Sequence, residues 1–258
     1  MSNKKQEPIS ESFIQIYNVF LFIIAPVTLV IIWQISSNTG LLNKNILPSP
    51  KREVETLISL LASGKLQGHL LVSFIRVIKG FLIGTFLGLS LGTCMGLSKT
   101  VQKIFTTLVG VFRPIPMIAW IPLLILWMGI TETSKVAVIS IGSFWPVLLN
   151  TIQGIHSVDK KFLEVASTLE KKYVIFSIVL PSALPSVFTG IRLGISSAWT
   201  SVVAAEMIAA SKGIGYMITY ARELSQPHIM LVGVFTIGFV GLIIDAVIQY
   251  LQKKIIYW

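Results

Sequence analysis

Charge is scarce in this chain: of 258 residues only 12% are Asp, Glu, Lys or Arg, about half the share found in soluble domains. Acids are scarcer still, 11 against 21 basic residues, which leaves a net charge of +10. The surplus is scattered over loops and helix ends with no basic stripe or RNA-binding signature. That excludes nucleic acid as its reason and leaves positive flanks that orient membrane helices. A single cysteine, Cys94, excludes an intrachain disulfide. The three histidines, His69, His156 and His228, lie far apart in separate segments, so neither a metal site nor a catalytic triad is expected. No Gly-x-x-x-x-Gly-Lys-Ser/Thr phosphate loop occurs, so ATP binding is expected to belong to another chain. The polar start MSNKKQEPISES leads into an apolar run with no small-residue cleavage site, which reads as an uncleaved first span rather than a signal peptide.

What the chain has in quantity is apolar sequence: 53% hydrophobic residues and a mean hydropathy of +0.79. A crossing needs about 20 apolar residues, so a chain of this length has room for about five to seven helices and little else. Charges and helix breakers place six spans, at about 17–37, 70–97, 104–130, 135–155, 184–210 and 228–251. The expected fold is therefore an all-α polytopic membrane protein. It divides into a tail at 1–16, a first span with an outer amphipathic segment over 17–69, a core membrane domain over 70–251 containing a charged loop at 156–183, and a tail at 252–258. The segment LPSPKREVETLISLLASGKLQG reads as a Pro-bounded helix lying at one surface, with Val54, Leu57, Ile58 and Leu61 on one face. With both termini inside, ten lysines lie in inner segments against seven basic residues outside. Setting aside the interfacial 38–69 segment leaves ten against three and favours that orientation.

The second span carries Gly80, Gly84, Gly88, Gly92 and Gly96, each four residues from the next. In water each would cost about 1 kcal/mol against alanine, whereas in lipid a small-xxx-small row lets another helix approach closely. Four residues turn a helix by about 400°, so the row winds around the axis and is expected to suit a crossed neighbour. Tight packing is the first reading and pore lining the alternative. Gly190, Gly194 and Ala198 repeat the spacing in the fifth span. The third span is broken by Pro114, Pro116 and Pro122, which remove backbone donors. Such a break either lines a translocation path or is a packing kink.

Charges inside spans are costly and point to function by default. Arg76 and Lys79 lie near an outer end, where long side chains can snorkel. Arg113, beside the proline break, either attracts an anion or anchors an interfacial helix; Arg192 suits a headgroup or loop contact. Glu206 must pair with a cation, accept helix-end donors or be protonated. Arg192 is fourteen residues away, about 21 Å along a helix, too far to be that cation within one helix. Ser196, Ser197, Trp199, Thr200 and Ser201 either line a path for an oxyanion or bond to their own helix. Asp245 reads as a helix–helix hydrogen bond.

The charged stretch EVASTLEKKYVIFSIVLP at 164–181 stands between two apolar spans. Ser157 or Asp159 can cap a short helix over 160–170, and Leu180-Pro181 with Leu184-Pro185 would end a loop and restart the fifth span. The stretch resembles the cytoplasmic coupling loop of bacterial ABC-importer permeases, whose pattern is Glu-Ala-Ala, three residues, Gly, nine residues, Ile-x-Leu-Pro. Glu164, Ala166, Ile178, Leu180 and Pro181 match; Val165 and Glu170 depart from it, and the spacing to Ile178 is two residues shorter. LPSP at 47–50, SFIRVIKGFLIGTFLGLSLGTCMGLS at 73–98, RPIPMIAWIPLLILWMGI at 113–130, FWPVLLNTIQGI at 144–155, LPSALPSVFTGIRLGISSAW at 180–199 and VVAAEMIAASKGIGYMI at 202–218 resemble, in order, the permeases for aliphatic sulfonates, taurine, nitrate and bicarbonate.

The resemblance implies a type I ABC-importer permease fold and a multi-pass protein of the bacterial inner membrane with cytoplasmic termini. The chain would form a homodimer in the lipid bilayer and work with two ABC ATPase subunits, which bind ATP and Mg, and an external solute-binding protein. In that reading the chain is no enzyme and holds no cofactor. Asp159, Glu164, Ala166, Glu170, Leu180 and Pro181 couple to the ATPases. Arg113, Pro116, Trp199, Thr200, Glu206, Gly213 and Gly215 are candidates for the path or its gate, and SKGIGYMI at 211–218 looks like the outer re-entrant turn. The solute expected first is an aliphatic sulfonate, with nitrate, taurine, bicarbonate or a vitamin precursor as alternatives. A stand-alone channel or secondary carrier would show an inverted repeat or a row of intramembrane acids, and neither is evident.

Overall fold

The computed structural model describes residues 11–40, 46–159 and 174–255. Its elements are α1 (Glu11–Asn38), α2 (Pro50–Ala62), α3 (Lys65–Leu97), α4 (Lys99–Phe112), α5 (Met117–Met128), α6 (Glu132–His156), a π-helical turn (Ile175–Val179), α7 (Leu180–Ala209), α8 (Ile214–Glu223) and α9 (Pro227–Ile255). Among the described residues there is no strand. α3, α6, α7 and α9 are long and apolar enough to cross a membrane. α4 and α5 meet at a 98° bend and together make one broken candidate span. The bend lies where Pro114 and Pro116 interrupt the backbone ladder, and neither half, at about 21 and 18 Å, spans the hydrocarbon alone. The expected third span is thus a right-angled pair of helices.

Packing starts from the glycine row. A methyl on Gly80 would stand 2.5 Å from Ile139 Cβ, one on Gly96 2.6 Å from Ile155 Cδ1, one on Gly92 2.8 Å from Thr151 Cβ and one on Gly88 3.0 Å from Val147 Cβ, while one on Gly84 would collide with Ser143. Partner numbers keep a constant difference of 59, so α3 and α6 run in the same direction and touch over five turns. The expected single crossing is corrected: both rows advance by four residues, wind at the same rate, and stay in contact throughout. α7 returns antiparallel against α6, with Gly142 facing Ser201 and Gly154 facing Ser186. α9 is antiparallel to α7, since Trp199 Nε1 donates to the Ile237 carbonyl at 3.0 Å and Arg192 meets Asp245. Exposed apolar residues, among them Leu126, Phe239 and Leu242, cover the outside of α5 and α9.

These directions place the starts of α3, α6, α8 and α9 at one end of the bundle and the C-termini of α3, α6 and α9, with the start of α7, at the other. The two are called the Glu132 end and the His156 end. α2 lies at the Glu132 end, capped by Ser49, with its apolar face of Val54, Leu57, Ile58 and Leu61 exposed as an interfacial helix requires. Two local expectations are corrected. Ser157 ends α6, its N–H bonding the Gln153 carbonyl, rather than starting a helix. Leu180-Pro181 does not end a loop but lies in continuous helix: the π-helical turn Ile175–Val179 runs directly into α7, and this wider turn stands where Pro181 supplies no backbone donor. Pro185 sits inside the same helix.

Candidate functional site

A charge network occupies the Glu132 end. Arg76, in the fourth turn of α3, directs Nη1 to Glu206 Oε1 at 2.8 Å and to the Lys212 carbonyl at 2.6 Å. Its Nε and Nη2 form a two-pronged pair with Glu132, at 2.6 and 2.7 Å. Four of its five N–H groups are thereby used. Lys135, one turn along α6, donates to Glu132 Oε1 at 3.1 Å. The side chains of Glu206, Arg76 and Lys135 are 0%, 5% and 6% exposed, while Glu132 is 64% exposed and closes the network from outside. The expected snorkelling of Arg76 is corrected, because α6 and α7 bring carboxylates to it inside the bundle.

Glu206 also fixes the turn between α7 and α8. Ser73 Oγ lies 2.8 Å from both its oxygens and donates to one, while accepting from the Ile214 N–H at 2.9 Å. Gly215 N–H donates to Glu206 Oε2 at 3.0 Å. Gly213 N–H donates to His69 Nδ1 at 3.1 Å, so that nitrogen carries no proton. Gly213 has φ +119°, and a Cβ there would run into the Glu206 carboxylate; at Gly215 it would stand 2.6 Å from the Val203 carbonyl. Both glycines are needed so that backbone donors reach the acid.

The two cations and two carboxylates sum to zero. Such a network adds little over an apolar core of equal volume, yet removing one member leaves a buried charge and costs about 3–5 kcal/mol. Its consequence is positional: α3, α6, α7 and the start of α8 are bolted together at one end. Sequence reasoning singled out Glu206, Gly213 and Gly215 but missed Glu132, Lys135, Ser73 and His69. The signal was there in part, since Glu206 and Arg76 are opposite charges in apolar spans, each needing a partner.

The other candidates lie apart. Arg113 and Pro116 are exposed at the α4–α5 bend. Trp199 is 4% exposed and its indole N–H donates to the Ile237 carbonyl of α9. Thr200 is exposed on α7, with its hydroxyl within reach of the Ser196 and Ser197 carbonyls of its own helix. Glu164, Ala166 and Glu170 lie outside the described residues. Asp159, Leu180 and Pro181 flank that stretch at the His156 end, next to a cleft of about 440 Å³ lined by Leu149, Ile152, Gln153, His156 and Ser157. Among the described residues no cluster of His, Cys, Asp or Glu could hold a metal.

The family described as "Binding-protein-dependent transport system inner membrane component" matches residues 80–257. A putative aliphatic sulfonates transport permease of Bacillus subtilis is 39% identical over 238 residues, 92% of this chain and 86% of that protein. The taurine transport system permease of Escherichia coli is 31% identical over 89% of this chain and 86% of its own length, and the nitrate import permease of Synechocystis is 31% identical over 98% and 94%. In fold, the chain resembles a chain of a solved amino acid ABC transporter, with a TM-score of 0.63 at 15% identity over 77% of this chain and 97% of that one. The inward-facing MetNI methionine ABC transporter gives 0.58 at 17%, over 78% and 98%. This chain belongs to the family of binding-protein-dependent transport system inner membrane components, as a permease subunit with the type I ABC-importer fold.

Proposed function

We propose that the chain is the membrane permease of an ATP-driven importer for a small oxyanion, an aliphatic sulfonate first. The observation that carries this is identity with sulfonate permeases, 39% for the Bacillus subtilis protein and 35% for that of Escherichia coli, each over nine-tenths or more of the chain. The chain pairs with a second copy, receives solute from an external binding protein, and takes its energy from two ATPase subunits that hold ATP and Mg. The 156–183 stretch docks those subunits, which puts the His156 end in the cytoplasm and the charge network outside. Rocking of the bundle then exposes the path to either side. Glu206, Gly213 and Gly215 hold the outer turn so that a bundle shift moves α8 with α3 and α7. Proteoliposomes carrying permease, ATPases and binding protein test this by uptake of labelled ethanesulfonate. ATP-dependent accumulation, lost without the binding protein, is expected; ATP-independent equilibration would instead indicate a carrier or channel.

A further inference from the structure

At the His156 end, α7 and α9 part to leave a cleft of about 290 Å³, lined by Pro185, Arg192, Gln249, Gln252 and Lys253. No carboxylate lines it. Asp245, whose side chain is 36% exposed against 34% for Arg192, borders the lining and orients it: Oδ1 accepts Arg192 Nε at 2.8 Å, and Oδ2 accepts Arg192 Nη2 at 3.1 Å and Gln249 Nε2 at 2.8 Å. This fixes the guanidinium across the helix gap and leaves Arg192 Nη1 with no partner among the described residues. The Lys253 ammonium has none either. Two cations against one carboxylate leave a net positive charge, with the Gln249 and Gln252 amides beside it, so the cleft is built for an anion.

The cleft's position selects which anion. It opens toward the last turn of α9, where Gln252 and Lys253 lie within three residues of Ile255 at the end of a candidate span, and α9 carries an apolar track away from it. Leu242, seven residues before Gln249 and so on the same face, is 71% exposed, and Phe239 next to it is 65% exposed. Beside them Gly238 has nothing within 4 Å of a would-be Cβ, which leaves a shallow trough. We propose that this cleft binds the phosphate-bearing headgroup of an anionic phospholipid, whose acyl chain lies along the Leu242 track of α9. Basic pockets between helices at a membrane surface recognise lipids in this way.

The same phosphate chemistry could come from a soluble anion, and the test separates the two. The full chain, purified in neutral detergent and stripped of lipid, is titrated with phosphatidylglycerol, phosphatidylcholine and inorganic phosphate, with bound lipid counted by native mass spectrometry and stability followed by thermal unfolding. Phosphatidylglycerol is expected to bind in preference to phosphatidylcholine, and inorganic phosphate at equal concentration neither to stabilise the protein nor to displace it. Lys253→Gln, an exposed change that touches no ion pair, is expected to cut that preference about fivefold, the worth of one basic residue at a membrane surface. Lys103→Gln, equally exposed and outside the cleft, is expected to leave it unchanged. The double change Arg192→Gln with Asp245→Asn removes the pair as a neutral unit and is expected to abolish the preference. Equal binding of both lipids, an unchanged preference in Lys253→Gln, or displacement of phosphatidylglycerol by inorganic phosphate would each overturn the proposal.

Discussion

Arg76 on α3 and Glu206 on α7, 130 residues apart in sequence, meet at 2.8 Å with almost none of either side chain exposed. Neither charge is tolerable alone in that place, so each residue requires the other. Glu206→Ala is expected to lower stability in detergent by about 3–5 kcal/mol, because Arg76 loses its buried partner and Gly215 and Ser73 lose theirs. Arg76→Met with Glu206→Leu, which removes both charges, is expected to recover most of that loss. Thermal unfolding of the single and double variants checks the coupling.

Gly84 offers a contrast with Gly110. A side chain at Gly84 would collide with Ser143 and the Ser140 carbonyl, whereas nothing lies within 4 Å at Gly110. Gly84→Val is therefore expected to push α3 off α6 at a cost of about 1–3 kcal/mol or more, while Gly110→Ala leaves the unfolding temperature nearly unchanged. Size-exclusion profiles and unfolding temperatures of the two variants read this directly.

The extent to which the fold was legible follows the range of each signal. Glycines four apart announce a close neighbour on α3 but not which helix supplies it. That α6 answers with Ile139, Ser143, Val147, Thr151 and Ile155 is a tertiary fact, and it turned an expected crossing into continuous contact. Prolines announce a break at 114–116 without its angle, and at Pro181 and Pro185 they suggested a loop where α7 already runs. Glu206 was legible as a residue in need of partners. Glu132 was not, because an acid at the first position of α6 beside a Thr131 cap is ordinary helix-start chemistry.

Glu53 gives a pH dependence. Its side chain on α2 is buried, both oxygens lack a hydrogen-bond partner among the described residues, and burial raises its pKa to about 7, with Arg52 opposing. A carboxyl with a raised folded-state pKa favours the folded state fully below its unfolded value near 4.5 and loses that contribution as pH rises through about 7. Stability is expected to fall between pH 5 and 8 by on the order of 1–3 kcal/mol, and Glu53→Gln to flatten the profile. An equal slope in wild type and variant would remove Glu53 from this role.

Glu164→Lys is expected to abolish ATP-driven uptake while leaving dimer assembly intact, since it reverses a charge in the proposed ATPase-docking stretch. Uptake assays paired with cross-linking of the two copies check it. Normal uptake would remove that stretch from the coupling role.

The most direct measurement is ATP hydrolysis by the permease reconstituted with its ATPase and binding-protein partners, with each candidate anion supplied in turn. Stimulation by an alkanesulfonate at micromolar concentration, absent without the binding protein, is the expected result. Failure of any ATPase to associate with the permease, or hydrolysis indifferent to every oxyanion supplied, would contradict the account of this chain as the permease of an oxyanion importer.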